Sequence, residues 1–236
     1  MKMIEFFDVD YNLLSDNRSN ELFSLRKTTF KDRLNWIVNC ERNMEFDAYD
    51  NKNTTYLFGV YQGLIVCSLR FIETQHPTMI IDTFKPYFPQ LNLPDGNFTE
   101  ASRLFIDKSR IQELQLRQYP ISSILFLSMI NYARDRGYEG IYAIVSHPMM
   151  IIFQRSGWQI SIVETGLSEK KQNIYLIYMP VDNHNQQIMI DRINQKSPGR
   201  NAALNSWPLS FPIGKHRPDE LQFNAKPDGM LGVSNA

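Results

Sequence analysis

The sequence predicts an α/β fold built on a mixed sheet, in a single domain over residues 1–210 followed by a loosely held polar tail over 211–236. β-rich apolar runs alternate with helical patterns along the chain, which argues for layers of helix on sheet. A chain of 236 residues that is 43% hydrophobic also has enough apolar side chains for one sizeable core.

In order, Met3–Val9 carries Ile4, Phe6 and Phe7 and reads as a first strand. A helical pattern begins near Glu21, with Leu22, Leu25 and Phe30 as apolar positions, and runs through Arg26 to Trp36. Runs at Thr55–Val60 and Leu64–Ile72, around Tyr61-Gln62-Gly63, give a hairpin. Prolines 77, 86, 89 and 94 then mark a long connection over 74–98 that covers something. Thr99–Asp107 is a strand with Glu100, Ser102 and Leu104 on one face and Ala101, Arg103 and Phe105 on the other, unless a bulge alters the facing. The polar segment 108–119 permits a helix limited by Pro120. Ser122 or Ser123 then caps a strongly apolar helix through Tyr132 that ends at Gly137. Gly140–Ser146 is a buried strand, Pro148 opens a helix that closes at Gly157, and Trp158–Glu164 and Asn173–Val181 complete the strands. A peripheral helix is expected over 182–196, before the proline-rich end.

Charge and motifs exclude several functions. Lys+Arg and Asp+Glu both total 25, so no global field draws in nucleic acid or an anionic membrane. Cys40 and Cys67 fit neither a metal site nor a disulfide framework, and both are expected in the core. The N-terminus lacks the apolar stretch of a signal peptide, and no run approaches the length of a membrane span, so a soluble, cytoplasmic protein is expected. The four histidines never reach metal-ligand spacing, and neither a Gly-x-Ser-x-Gly elbow nor a nucleotide-binding glycine loop is present. An acetyl-CoA-dependent N-acetyltransferase of the common type would need such a loop before a helix, yet no glycine lies between Asp107 and Tyr119.

The densest chemistry lies between Arg26 and Asp50, where Arg26, Phe30, Arg33, Trp36, Glu45, Asp47 and Asp50 occur within 25 residues. Carboxylates so close repel one another unless cations sit among them. A solvated, salt-bridged surface is the competing reading, and the interleaved aromatics weigh against it. Arg70 interrupts an apolar strand, so it should point at this acidic cluster or at an anionic ligand. Glu100, near a strand start, is a candidate general base whose pKa partial burial would raise.

Leu25-Arg26 with Phe30 and Trp36, Glu45-Phe46-Asp47-Ala48-Tyr49-Asp50, Arg70 and Glu100-Ala101-Ser102-Arg103 together, in this order, resemble the LuxI-type acyl-homoserine-lactone (autoinducer) synthases over about Met3–Pro208. The resemblance implies a three-layer α/β/α, N-acetyltransferase-like fold, with a twisted sheet whose central strands splay into a V-shaped cleft. It also implies a reaction in which the amine of S-adenosyl-L-methionine attacks the thioester of an acyl-acyl carrier protein, and lactone closure then releases methylthioadenosine. S-Adenosylmethionine is then a substrate, and no cofactor or metal is expected. Arg26, Phe30, Trp36, Asp47, Asp50 and Arg70 would bind it, with Phe30 and Trp36 facing the sulfonium. Glu100, Ser102 and Arg103 would form the catalytic strand, with Glu100 as base and Arg103 holding the phosphopantetheine arm or orienting Glu100.

The acyl chain is expected between the Ile124–Tyr132 helix and the sheet, lined by Met79, Leu125, Phe126, Met129, Ala143, Val145 and Ile152. In the family, threonine at the position of Ala143 accompanies 3-oxoacyl substrates, so alanine implies a short unsubstituted chain such as hexanoyl. Arg134, Arg136, Arg155, Lys170 and Lys171 are the expected docking cluster for an acidic carrier protein. Two other readings share the fold. They are an N-acyltransferase that does not use S-adenosylmethionine, and a non-catalytic acyl-binding module.

Overall fold

The structure, a computed structural model, describes residues 2–200 and 202–214. Among these residues an eight-stranded mixed sheet forms the centre, in the order β10 (Leu209–Ile213), β1 (Lys2–Asp10), β4 (Thr54–Tyr61), β5 (Leu64–Glu73), β6 (Phe98–Ile106), β7 (Gly140–Ser146), β9 (Asn173–Pro180) and β8 (Ser161–Leu167). β1 (Lys2–Asp10) pairs antiparallel with β4 (Thr54–Tyr61), and β4 turns through Gln62-Gly63 into β5 (Leu64–Glu73), the hairpin expected from the sequence. A separate two-stranded ribbon, β2 (Cys40–Glu41) and β3 (Met44–Glu45), carries the acidic segment. β6 (Phe98–Ile106) follows the long connection, β7 is Gly140–Ser146, and β8 (Ser161–Leu167) pairs with β9 (Asn173–Pro180).

Helices cover both faces. One face holds α3 (Ile121–Asp135), α4 (His147–Ser156) and α5 (Asn183–Lys196), which bury Leu125, Met129, Phe153 and Met189 against Ile4, Phe71, Ile141 and Ile177. The other holds α1 (Asp16–Arg26), continuing into wider π-helical turns over Lys27–Arg33, and packs Leu22 and Phe30 on Tyr56, Phe58 and Phe105. The 74–98 connection covers the rest of this second face, placing Ile80 and Phe88 on Tyr142 and Leu176. A short α2 (Lys108–Glu113) links β6 to α3. Among the described residues, no helix is long and apolar enough to cross a membrane.

The central strands make the feature that positions the site. β6 and β7 run parallel, but their ladder covers only Phe98–Glu100 against Gly140–Tyr142. Beyond it, β6 stays paired with β5 as far as Ile106 and β7 with β9 as far as Ser146. The sheet therefore parts into a V, with Glu100 at its apex.

Several boundaries differ from expectation for local reasons. The first helix starts at Asp16 rather than near Glu21, because the Ser15 hydroxyl caps it by accepting the Arg18 N–H, and Trp36 lies past its end. Ser122 and Ser123 sit inside α3, which begins directly after Pro120. β8 starts at Ser161 instead of Trp158, whose indole N–H is tied to the Pro180 carbonyl at 2.7 Å. Cys40 is exposed rather than buried. The boundary expected at residue 210 falls within β10 (Leu209–Ile213), an edge strand paired with β1. The rest of the expected tail, from residue 215, lies outside the described residues.

Candidate active site

Three arginines and three carboxylates from four separate elements form one closed network on the α1 face. Arg26, at the end of α1, donates through Nε to Glu45 at 2.6 Å and through Nη1 and Nη2 to Asp50 at 2.7 and 3.0 Å. Arg70, on β5, donates to Asp47 at 2.5 Å and to the Ser102 hydroxyl at 3.1 Å, and stands 3.1 Å from Asp50. Arg103, on β6, donates to Glu45 at 3.0 Å and to Asp47 at 2.7 Å. Three positive and three negative charges balance, which is what lets Arg26, Arg70, Glu45 and Asp50 be almost wholly buried. Asp47 and Arg103 keep 16% and 10% of their side-chain surface and form the rim.

The network's electrostatics follow from this geometry. Arg26 and Arg70 hold the Asp50 carboxyl far below the usual carboxylate range despite its burial. The Tyr56 hydroxyl donates to Asp50 at 2.7 Å, and burial together with that carboxylate pushes the phenol well above its ordinary range, so it stays a neutral donor. The aromatic wall adjoins the rim. Phe30 is buried and stacks on the 42%-exposed Trp36 with centroids 5.1 Å apart, and the Arg103 guanidinium lies 5.7 Å from the Phe30 ring.

A bulge brings Arg103 to this face. Ser68 pairs with Phe105 and Arg70 with Ser102, so Leu69 faces two residues of β6. Arg103 takes a positive φ of 54°, an uncommon conformation for a non-glycine residue. Ser102 and Arg103 thus both contact the charge network, whereas Ala101, Leu104 and Ile106 pack on the α3 side. The regular alternation expected from the sequence had placed Ser102 and Arg103 on opposite faces.

Glu100 shares the face of the network and is 1% exposed. Its Oε2 accepts the Ile80 N–H at 2.7 Å, and its Oε1 is buried with no hydrogen-bond partner among the described residues. Burial pushes its carboxyl above the ordinary glutamate value, opposed by the Ile80 N–H, the Arg70 charge and the Thr78 and Ser102 hydroxyls. A buried carboxyl with a raised pKa on the face of a charged network suits an acid–base role.

This geometry has counterparts among known proteins. A family model described as autoinducer synthase matches residues 10–189. The chain belongs to that family. An acyl-homoserine-lactone synthase of Serratia liquefaciens is 71% identical over 194 residues, covering 82% of this chain and 97% of its own. Another, of Pectobacterium carotovorum subsp. carotovorum, is 57% identical over 210 residues, covering 89% and 97%. A solved structure of BjaI, a CoA-dependent acyl-homoserine lactone synthase with SAM and isopentyl-CoA, aligns with a TM-score of 0.70 at 19% identity over 81% of this chain and 90% of its own. That last likeness is one of fold. The autoinducer synthases are acyltransferases, and this chain is an enzyme of that class.

Other residues expected in this autoinducer synthase's site fall in three places. Leu125, Phe126, Met129, Ala143 and Val145 lie together in the core between α3 and the sheet, on the face opposite Glu100. The V between β6 and β7 is where the two faces meet. Ile152 does not join them: it is 48% exposed, because α4 buries Met150 and Phe153 and turns Ile152 outward. Met79 belongs to the charge network instead, its thioether accepting from Arg70 at 3.0 Å and Arg103 at 3.4 Å.

The expected basic docking cluster is split. Arg134 donates to the Val181 carbonyl and Asn183, and Arg136 pairs with Asp8, both in or after the last turn of α3 beside the Gly140 end of β7. Lys170 and Lys171 occupy the β8–β9 turn at the Ser146 end, where Lys170 donates to the Asn35 carbonyl at 3.1 Å. Seven residues of strand separate these ends by about 20 Å. Arg155 is in the last turn of α4, where its carbonyl accepts from Arg192. Glu45, which the sequence placed in the charged cluster without a role, and Tyr56, which it did not single out, are also members of the network. A carboxylate at i+19 from Arg26 in an acidic run was the available signal for Glu45.

Proposed function

We propose that this protein makes an acyl-homoserine lactone from S-adenosyl-L-methionine and an acyl thioester, with an acyl-acyl carrier protein as donor, in the cytoplasm and with no resident cofactor. The observation that carries this reading is the charge-balanced network whose rim, Asp47 and Arg103, adjoins the Phe30–Trp36 stack on the same face as Glu100. A zwitterionic sulfonium substrate needs both signs of charge and an aromatic surface, and these groups supply them.

In the proposed reaction, the ammonium of S-adenosylmethionine loses a proton to the Glu100 carboxylate, directly or through one water. The freed lone pair attacks the thioester carbon, a C–N bond forms as the C–S bond breaks, and the thiolate leaves and takes up a proton. The nitrogen's second proton passes to solvent. The homoserine carboxylate oxygen then attacks the γ-carbon and displaces the sulfur, so a carboxylate and a sulfonium become a neutral lactone and neutral methylthioadenosine. Arg26, Arg70, Glu45 and Asp50 serve as the buried frame, because their side chains are almost wholly buried and bonded within the network. Arg103 and Asp47, bonded within the network too, keep 10% and 16% of their side-chain surface and are the members a ligand would meet.

The acyl tail passes through the V into the α3 side, among Leu125, Phe126, Met129, Ala143 and Val145. Ala143 offers no hydroxyl to a 3-oxo group, which favours an unsubstituted short chain such as hexanoyl. Incubation with S-adenosylmethionine and either hexanoyl-carrier protein or hexanoyl-CoA tests the reading. Methylthioadenosine and N-hexanoyl-homoserine lactone should form in equal amounts, faster with the carrier protein. Acyl transfer to another amine without methylthioadenosine would contradict it.

A further inference from the structure

We infer that the short turn Met79–Thr83 positions Glu100, with Thr78 and the Tyr49–Thr83 hydroxyl pair as its two pegs. This rests on Glu100 being the base and extends that reading to the groups that aim it. One carboxylate oxygen is held by the Ile80 N–H, and the other, Oε1, is buried without a hydrogen-bond partner among the described residues. Buried polar atoms without partners are rare in folded proteins and call for a reason. Here the reason is that Oε1 receives the ammonium proton: an O–H bond forms, an N–H bond breaks, and the nitrogen keeps the electron pair.

The turn is five residues long, inside the connection between β5 and β6, and needs anchors to hold its place. At its inner end the buried Thr78 hydroxyl accepts the Ile81 N–H at 3.4 Å and lies among the groups that favour charged Glu100. At its outer end the Thr83 and Tyr49 hydroxyl oxygens are 2.8 Å apart. Tyr49 is fixed within the acidic segment. Its N–H donates to Asp47 at 2.9 Å, its carbonyl accepts the Thr54 hydroxyl, and its ring lies 5.7 Å from the Arg70 guanidinium. The rim carboxylate of the substrate face is therefore joined to the N–H that holds Glu100 through two hydroxyls and one short turn.

The groups around Glu100 are Arg70 from β5, Ser102 on its own strand, Thr78 and Ile80 from the connection, and Tyr142 opposite it on β7. Tyr49, Asp47 and Asp82 stand farther out in the same surroundings. Freeing the turn removes the N–H that most strongly opposes the effect of burial. The pH at which Glu100 becomes an active base should then rise.

The test is the pH profile of kcat/KM, with S-adenosylmethionine and a hexanoyl thioester, for Tyr49→Phe, Thr83→Val, their double variant and Thr78→Val. The acid limb should move up by about one pH unit in each single variant. The double variant should move no further than either outer-peg single, and Thr83→Ser and Thr78→Ser should restore the wild-type limb. An unmoved limb in folded Tyr49→Phe, Thr83→Val and Thr78→Val would overturn the inference. Glu100→Gln separates the two levels. If its residual activity keeps the acid limb, the base assignment itself is wrong. If it loses the limb while the peg variants leave it in place, only the positioning is wrong.

Discussion

Replacing Arg26 with methionine should cost this protein about 3–5 kcal/mol of stability, because it leaves Glu45 and Asp50 buried without the cation that binds both. Three short hydrogen bonds vanish, and methionine fills the space without providing a donor. For a chain of this size, each kcal/mol moves the thermal midpoint by roughly 2–4 °C, so the fall should be about 10 °C. The solvent-accessible Lys27–Asp32 pair, with its lysine half-buried, provides the control: Asp32→Asn should cost about 0–1 kcal/mol. pH supplies a second signature. The Asp50 carboxyl is depressed in the native protein, so its contribution is fully present above the unfolded aspartate value of about 3.9 and is lost as pH falls below it. Without Arg26, that carboxyl rises instead, and its penalty fades as pH drops towards the unfolded value. The gap in midpoint between wild type and Arg26→Met, followed by circular dichroism, should be widest near pH 7.5 and narrow towards pH 4.5. A gap no larger than that of Asp32→Asn, or one independent of pH, would refute the picture of a buried balanced network.

Other consequences follow from the same geometry. Glu100→Gln should raise the thermal midpoint: a carboxyl whose folded pKa lies above its unfolded one loses stability as pH rises between the two, and an amide escapes that loss. The same substitution should lower turnover by about 10²–10⁴-fold, read in a stopped assay at saturating substrates. Arg103→Lys replaces a fork that meets Glu45 and Asp47 together with a single ammonium, and should raise KM for S-adenosylmethionine about tenfold in steady-state kinetics. Ala143→Thr should increase use of 3-oxohexanoyl relative to hexanoyl donor in direct competition, since it adds a hydroxyl to the core between α3 and the sheet.

What was legible in the sequence depended on how local its cause is. Arg70 betrayed itself as a charge in an apolar run, and the Arg26–Asp50 cluster as carboxylates too close to stand without cations; the structure brings both into one network. The hairpin at Gln62-Gly63 was equally local. The bulge at Arg103 was not, because a non-glycine residue at positive φ is held there by its partners Glu45 and Asp47, which lie 58 and 56 residues away. Ile152 was misplaced because five successive apolar residues, Met149–Phe153, carry no phase, and only the packing of Met150 and Phe153 decides which side faces in. Met79 looked apolar and became an acceptor for two guanidinium groups. The basic residues were grouped by chemistry, whereas sheet topology sends them to opposite ends of β7. β10 went unread because its pairing with β1 joins the two ends of the described chain.

In the proposed complex S-adenosylmethionine lies against the Phe30–Trp36 stack at the rim formed by Asp47 and Arg103. A tryptophan-fluorescence titration with S-adenosylmethionine, run beside Trp36→Phe, addresses it most directly, because Trp158 is buried on the other face of the sheet and Trp207 is tied to Asp8. A saturable change is expected in wild type and should disappear in Trp36→Phe, while calorimetry still detects binding. An equal change in both proteins would contradict it.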